Sequence, residues 1–118
     1  MIRNDGNAPH YTWGHVCDGW RLVDRDDLAV IRERVPPGAG EALHRHRRAE
    51  QVFIVLSGEL LIEIDAVPAT LRPGDSIEVR AGAAHRVTNP GDIDAWFLVV
   101  SAPSTRDDRE VLDDNSFG

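Results

Sequence analysis

The sequence predicts an all-β protein. From Trp20 onward, short apolar runs alternate with turns that contain Pro or Gly, and they do so at close intervals. No long stretch repeats apolar side chains at the 3.6-residue spacing of an amphipathic helix. Many short strands within 118 residues, the length of a single domain, indicate a sandwich, a jelly roll or a barrel.

The strands follow from where each apolar run begins and ends. Leu60, Ile62 and Ile64 alternate with acidic residues, which is the pattern of a strand with one buried face. Turn-forming residues separate the runs, as at 36–38 and 72–75. The predicted strands span residues 20–24, 28–35, 42–46, 51–57, 59–65, 69–71, 76–79, 85–89 and 95–101.

The two ends of the chain differ from this β-rich centre. Residues 1–9 are polar, and residues 11–20 are rich in aromatic side chains and Gly without a helical period. After Ser104 the sequence becomes acidic and has few core-forming residues. We therefore predict an N-terminal arm at 1–19, a barrel at 20–104 and a disordered acidic tail at 105–118.

Charge and composition narrow the classes of partner. The formal net charge is −7, which argues against a general binder of nucleic acids or anionic membranes, since both are polyanions. We find no secretory signal pattern and no apolar stretch approaching a membrane span. Cys17 is the only cysteine, and a buried thiol is favoured over a nucleophile. These features predict a cytoplasmic protein whose ligand is a small molecule.

Three histidines and a glutamine occupy positions suited to a metal ion. His44 and His46 lie two apart on a predicted strand, so both rings face the same side, about 6.6 Å apart along it. Gln51 opens the next strand, and His85 begins a later one. Imidazole nitrogen and amide oxygen both bind borderline divalent ions. The His-x-His pair alone equally fits two surface histidines among arginines.

Two motifs with characteristic spacing favour the metal site over a pair of surface histidines. The first is Gly38-x5-His44-x-His46-x4-Gln51-x6-Gly58, and the second is Gly74-x5-Arg80-x-Gly82-x2-His85-x3-Asn89. In order and spacing they resemble the two motifs of the cupin family, and the resemblance covers residues 28–101. It implies a cupin double-stranded β-helix, which is a jelly-roll barrel. It also implies one divalent transition metal (Fe, Zn, Mn or Ni) held by His44, His46, Gln51 and His85.

The sequence departs from the family pattern at two positions. Gln51 stands where the first cupin motif usually has Glu, and Glu50 is adjacent. We favour Gln51 as the ligand, because counting back from Gly58 reaches it and because it shares a strand face with Phe53. The resulting His-His-Gln-His set resembles the ligand set of some metal-binding cupins. Arg80 replaces the family's Pro, which alters a turn and not a ligand.

The neutral glutamine has a chemical consequence for function. Three histidines with Gln keep the full +2 charge of a divalent ion, whereas Glu would reduce it to +1. We therefore predict a metal-dependent enzyme that uses Lewis-acid isomerase, cyclase or lyase chemistry on a small oxygenated molecule, anionic or enolisable. An Fe(II) dioxygenase and a non-catalytic ligand-binding cupin are the alternatives.

Further residues have two possible roles each. Glu33 is a general acid/base candidate if its strand face looks inward, and a surface ion-pair partner if it looks outward. Trp13, Trp20 and Trp96 either wall a pocket or fill a core or an interface. Residues 11–23 carry apolar groups ahead of the main strands, so we predict a homodimer in which this segment forms much of the contact.

Overall fold

Alternating apolar and polar residues form strands between His10 and Val111 in the computed structural model, which describes residues 1–112. Residues 113–118 lie outside the described part. The strands are β1 His10–Trp13, β2 Cys17–Asp24, β3 Ala29–Val35, β4 His44–His46, β5 Glu50–Ser57, β6 Leu60–Ile64, β7 Val67–Leu71, β8 Ser76–Val79, β9 His85–Thr88, β10 Ala95–Ala102 and β11 Arg109–Val111.

These strands form two antiparallel sheets that pack against each other. The six-stranded sheet has the order β1-β2-β3-β10-β5-β8, and the five-stranded sheet has the order β11-β4-β9-β6-β7. The arrangement is an all-β jelly-roll barrel, as the sequence predicts. Within residues 1–112 no helix has the length and hydropathy needed to cross a membrane.

The core lies between the two sheets. Phe53 and Val55 of β5, Leu60 and Ile62 of β6, and Phe97 of β10 are all buried and belong to one apolar cluster. Each large apolar side chain that is buried in this way stabilises the fold by roughly 1.5–3 kcal/mol. Because strand side chains alternate between faces, this burial also fixes which residues of each strand face the interior.

All nine predicted strands are present, with ends that shift by up to three residues. Two further strands lie where we predicted an arm and a disordered tail, and residues 113–118 of that predicted tail lie outside the described residues. β1 and the first residues of β2 lie within the segment that we expected to be an arm, and they extend the large sheet. β11 lies within the expected tail, where it pairs with β4. Both missed strands are short edge strands, so their own sequences carry little periodic signal.

Two motif residues that bind no ligand have structural roles. Gly58 has φ +73°, and a Cβ atom there would lie 2.2 Å from the carbonyl oxygen of Asp94. The buried Asn89 side chain donates to the carbonyl oxygens of Val35 and Ile93, at 2.9 and 2.8 Å, and accepts a bond from the Gly91 amide. The predicted turn-forming role of Asn89 is confirmed, and the same side chain also ties the turn to β3.

The outer face of the large sheet carries two of the three tryptophans. The rings of Trp20 and Trp96 stack with centroids 5.5 Å apart, and the guanidinium of Arg32 lies over Trp96 at 4.9 Å. These two side chains therefore do not wall the interior cavity. The homodimer through the N-terminal segment stays a prediction.

Candidate metal centre

Three histidine side chains from two neighbouring strands converge inside the barrel. His44 and His46 project from β4, and His85 of β9 is paired directly opposite His44. All three residues are buried, and each offers a ring nitrogen within 4.8 Å of the others. This spacing is compatible with three ligands around one ion, so the histidines are positioned to bind a metal.

Backbone carbonyls fix the tautomer of every ring. The Nδ1 atom of each histidine lies within hydrogen-bond distance of a carbonyl oxygen, which can only accept. The pairs are His44 with Ala42 at 2.9 Å, His46 with Asp108 at 3.0 Å and His85 with Ala83 at 2.9 Å. Each Nδ1 therefore carries the proton, and each Nε2 lone pair is left for a ligand or an ion.

Burial also keeps the three rings neutral. Desolvation, with a smaller effect from the neighbouring His85, lowers the pKa of His44 to about 3. Desolvation likewise lowers the pKa of His85 to about 4 and lowers the pKa of His46. Since only neutral imidazole binds metals, the site is ready for an ion at neutral pH without losing protons.

Gln51 of β5 faces the same cavity. Its Nε2 donates a hydrogen bond to the Ser101 hydroxyl at 3.1 Å. Within residues 1–112, Gln51 Oε1 and His85 Nε2 are buried polar atoms without a hydrogen-bond partner. Such orphaned acceptors are costly unless an ion or a ligand satisfies them. Three neutral imidazoles and one amide oxygen thus fit a borderline divalent transition metal; the role of Gln51 as fourth ligand stays a prediction.

Glu50, the alternative ligand, lies on the opposite face of β5. Its carboxylate accepts a hydrogen bond from the Ala81 amide at 2.7 Å and lies 3.4 Å from the Arg80 guanidinium. Both side chains are solvent-exposed. The sequence analysis favoured Gln51 for the same reason, because neighbouring residues on a strand face opposite sides.

Three of the four candidate ligands, His44, His46 and Gln51, line a cavity of about 290 Å³ between the sheets. Apolar and aromatic groups form much of its wall, and two carboxyl groups and one guanidinium are its charged side chains apart from the histidines. The lining residues are Tyr11, Trp13, Gly14, Ile31, Glu33, Glu41, His44, His46, Gln51, Phe53, Val99, Ser101, Thr105 and Arg109. Of the three tryptophans, Trp13 therefore has the pocket role.

A family model for the cupin domain matches residues 31–101, a range that contains all four candidate ligands. The chain belongs to the cupin family. Its fold agrees with that of KdgF from Halomonas sp., with a TM-score of 0.81 and 18% identity over 91% of this chain and 96% of the other.

Two curated relatives extend the comparison. The cupin is 28% identical to mannose-1-phosphate guanylyltransferase of Escherichia coli K12 across 95% of its length, but it spans only 24% of that enzyme. It is 29% identical to the oxalate-binding protein of Thermotoga maritima, over 58% of this chain and 57% of the relative. The cupin thus spans about a quarter to just over half the length of these two relatives.

Glu33 faces the interior, which decides between the two orientations that the sequence left open. It lies opposite Gly19 of β2 and Phe97 of β10, and it lines the cavity. Desolvation, with a smaller contribution from the charge of Glu41, raises its pKa well above the ordinary carboxyl value. A carboxyl group with a raised pKa in a cavity is suited to proton transfer.

The sequence analysis did not single out four other residues that line the cavity: Tyr11, Glu41, Ser101 and Arg109. The inward orientation of Ser101 could have been predicted, because it follows Phe97 and Val99 at the two-residue spacing of the inward face of β10. Glu41 accepts a hydrogen bond from the Val87 amide at 3.0 Å, and desolvation raises its pKa to about 7. Tyr11 and Arg109 enter the cavity only because β1 and β11 join the sheets.

Proposed function

We propose that this cupin is a metal-dependent enzyme that performs isomerase, cyclase or lyase chemistry on a small, anionic or enolisable molecule. One observation carries the proposal. The cavity that His44 and His46 line, with His85 in the same three-histidine cluster, also holds Glu33, whose carboxyl pKa is raised by burial. A Lewis-acid site and a proton-transfer group in one cavity are the two parts that such chemistry needs.

The charge of the donor set supports placing Lewis-acid chemistry first among the candidate functions. A bound divalent ion would supply Lewis acidity that polarises a carbonyl or hydroxyl oxygen. His44, His46, His85 and Gln51 are neutral donors, so they would leave its positive charge undiminished. The cavity of about 290 Å³ favours a substrate of a few heavy atoms over a polymer.

Glu33 is proposed as the proton carrier. In its protonated form, the carboxyl oxygen donates to a leaving group or to a carbon that gains hydrogen. In its ionised form, the same oxygen is a stronger base than an ordinary carboxylate and removes a proton beside a carbonyl. The name of the Thermotoga maritima relative records binding of oxalate, a small dicarboxylate, which supports an anionic ligand here.

An Fe(II) dioxygenase is the second candidate, because imidazole ligands serve iron as well as zinc, nickel or manganese. A ligand-binding cupin without turnover is the third. The chemistry at the substrate carbon separates all three.

Deuterium exchange is the test. We would load the protein with zinc, manganese or nickel and incubate it in D2O with pyruvate and a panel of small 2-hydroxy acids. The proposal expects deuterium at the carbon beside the carboxylate or carbonyl, measured by proton NMR. It also expects E33Q to lose exchange at unchanged metal content, while E59Q, at an exposed carboxylate, keeps it. Oxygen uptake with Fe(II) but no exchange would favour the dioxygenase, and binding with neither reaction would favour the ligand-binding protein.

A further inference from the structure

Arg109 is the one cationic side chain, apart from the histidines, among the residues that line the cavity. It begins β11, the strand that the tail contributes to the small sheet. In the register of β11 with β4, Arg109 lies opposite His46. Arg109 therefore lines the same cavity as the candidate ligands His44, His46 and Gln51.

The neighbouring arginines are paired with carboxylates, whereas Arg109 has no such partner within residues 1–112. Arg45 and Arg47 both contact the Glu110 carboxylate, at 3.0 and 3.1 Å. Arg48 lies 3.8 Å from the Asp108 carboxylate. Arg109 forms no ion pair within 4.0 Å with any carboxylate of residues 1–112. A cation that lines a cavity beside two carboxyl groups and still pairs with neither has its hydrogen-bond donors available to a ligand.

Asp108, the residue before Arg109, anchors the backbone of this segment. Its carboxylate accepts the backbone N–H groups of Arg47, Arg48 and Ala49 at 2.9 to 3.0 Å. Its carbonyl oxygen receives the Nδ1 hydrogen of His46. The residue that orients a candidate metal ligand is thus adjacent to Arg109 in the chain, so the backbone of Arg109 is anchored beside the metal site.

The positive charge of Arg109 affects the pKa values of the candidate histidine ligands and of a carboxyl group in the cavity. It contributes to the lowered pKa values of His44, His46 and His85, and it opposes the raised pKa of Glu41. Even with Glu33 and Glu41 both ionised, Arg109 and a divalent ion would leave the cavity positive inside a chain of net charge −7. A positive cavity in an acidic protein selects anions.

We propose that Arg109 binds an oxyanion of the substrate, a carboxylate or a phosphate, while a second oxygen of the same molecule lies at the three-histidine site. This inference rests on the proposed function and names its substrate class. The planar guanidinium donates two parallel hydrogen bonds to such a group, which fixes the orientation of the molecule between Arg109 and the histidines.

Calorimetric titration of the zinc-loaded protein is the test, with malonate, acetate and inorganic phosphate as probes. We expect malonate, which has two carboxylates, to bind at least tenfold more tightly than acetate. R109Q should lose at least tenfold of the malonate affinity at unchanged zinc content, and R109K should recover part of it. R72Q, which removes a positive charge at an exposed position, is the matched control and should bind as the wild type does. A phosphate affinity above that of malonate would identify the phosphate as the preferred oxyanion.

Equal malonate affinity in R109Q and wild type would overturn the inference, as would a wild type that binds malonate no better than acetate. A different result would contradict the proposed function. If malonate binding depends on Arg109 but no deuterium exchange or other turnover occurs, the anion site stands and the enzyme assignment falls.

Discussion

Nε2 of Gln51 donates a hydrogen bond to Oγ of Ser101 at a distance of 3.1 Å. The two residues are paired across β5 and β10, so their side chains leave the large sheet on the same face. Because Ser101 engages the amide nitrogen, the amide oxygen Oε1 is kept on the other side and has no hydrogen-bond partner within residues 1–112. In this arrangement the oxygen of Gln51, and not its nitrogen, is available to a metal.

Replacing Ser101 by Ala tests this relationship. The amide of Gln51 would be free to rotate, and we expect metal affinity to fall by about tenfold, the lower end of what loss of an outer-shell partner costs. S76A is the control, because Ser76 is an exposed serine of β8. Competition with a metal-sensitive dye measures both variants. An S101A dissociation constant equal to that of S76A would show that the hydrogen bond does not orient a ligand.

The choice of Gln51 over Glu50 has its own test. Q51E should keep the metal, because a carboxylate is also a good ligand, but the lower positive charge should weaken binding of an anionic substrate. E50A should leave metal content almost unchanged, since Glu50 is bonded to the Ala81 amide on the outer face. Elemental analysis of Q51A and E50A decides the matter: metal lost from E50A and retained in Q51A would reverse the assignment.

Asp108 should affect metal binding although it is not a candidate ligand. D108A removes the acceptor of three backbone N–H groups and so frees the carbonyl that holds His46. We expect roughly tenfold weaker metal binding and an altered visible absorption spectrum of the cobalt(II) form, with D108N intermediate because it keeps one acceptor oxygen. If D108A retains both the wild-type affinity and the wild-type spectrum, the tail does not position His46.

Glu41 should make the metal-free protein less stable at alkaline pH. Its pKa in the fold is about 7, above the ordinary value of 4.5, so ionising the buried carboxyl opposes folding above pH 7. That penalty disappears as the pH falls from 7 to 4.5. We therefore expect metal-free E41Q to be more stable than the wild type at pH 8, by up to roughly 3 kcal/mol, with the difference vanishing near pH 4.5.

Urea unfolding of both proteins at pH 8, 6 and 4.5 measures this difference. The histidines are the same in both chains, so their own pH dependence cancels in the comparison. E59Q, at an exposed carboxylate, should show no such trend. A stability difference between E41Q and wild type that does not change with pH would contradict the account.

The sequence was sufficient for the parts of the molecule that depend on alternation and turns. The inward face of β5 follows from Gln51, Phe53 and Val55, and this face also separates Gln51 from Glu50. His44 and His46 lie on one face for the same reason. The meeting of these histidines with His85, which is distant in sequence, came from the spacing of the two motifs and the resemblance that they carry.

The missing parts depend on pairing that a single strand cannot reveal. Arg109 lies in an acidic stretch, and only its pairing with β4 places it opposite His46. Tyr11 enters the cavity because β1 adds to β2, where the absence of a side chain at Gly19 leaves room for the phenol ring. The tautomers of the histidines depend on backbone carbonyls, which have no signature in the sequence at all.

Metal stoichiometry tests the central claim most directly. The protein should be produced without a histidine tag, purified without chelators and analysed for transition metals. The account predicts about one equivalent of a divalent metal in the wild type and in R72Q, and close to none in the double variant H44A/H85A. Retention of one tightly bound equivalent by H44A/H85A would contradict the assignment of His44, His46 and His85 as the metal site.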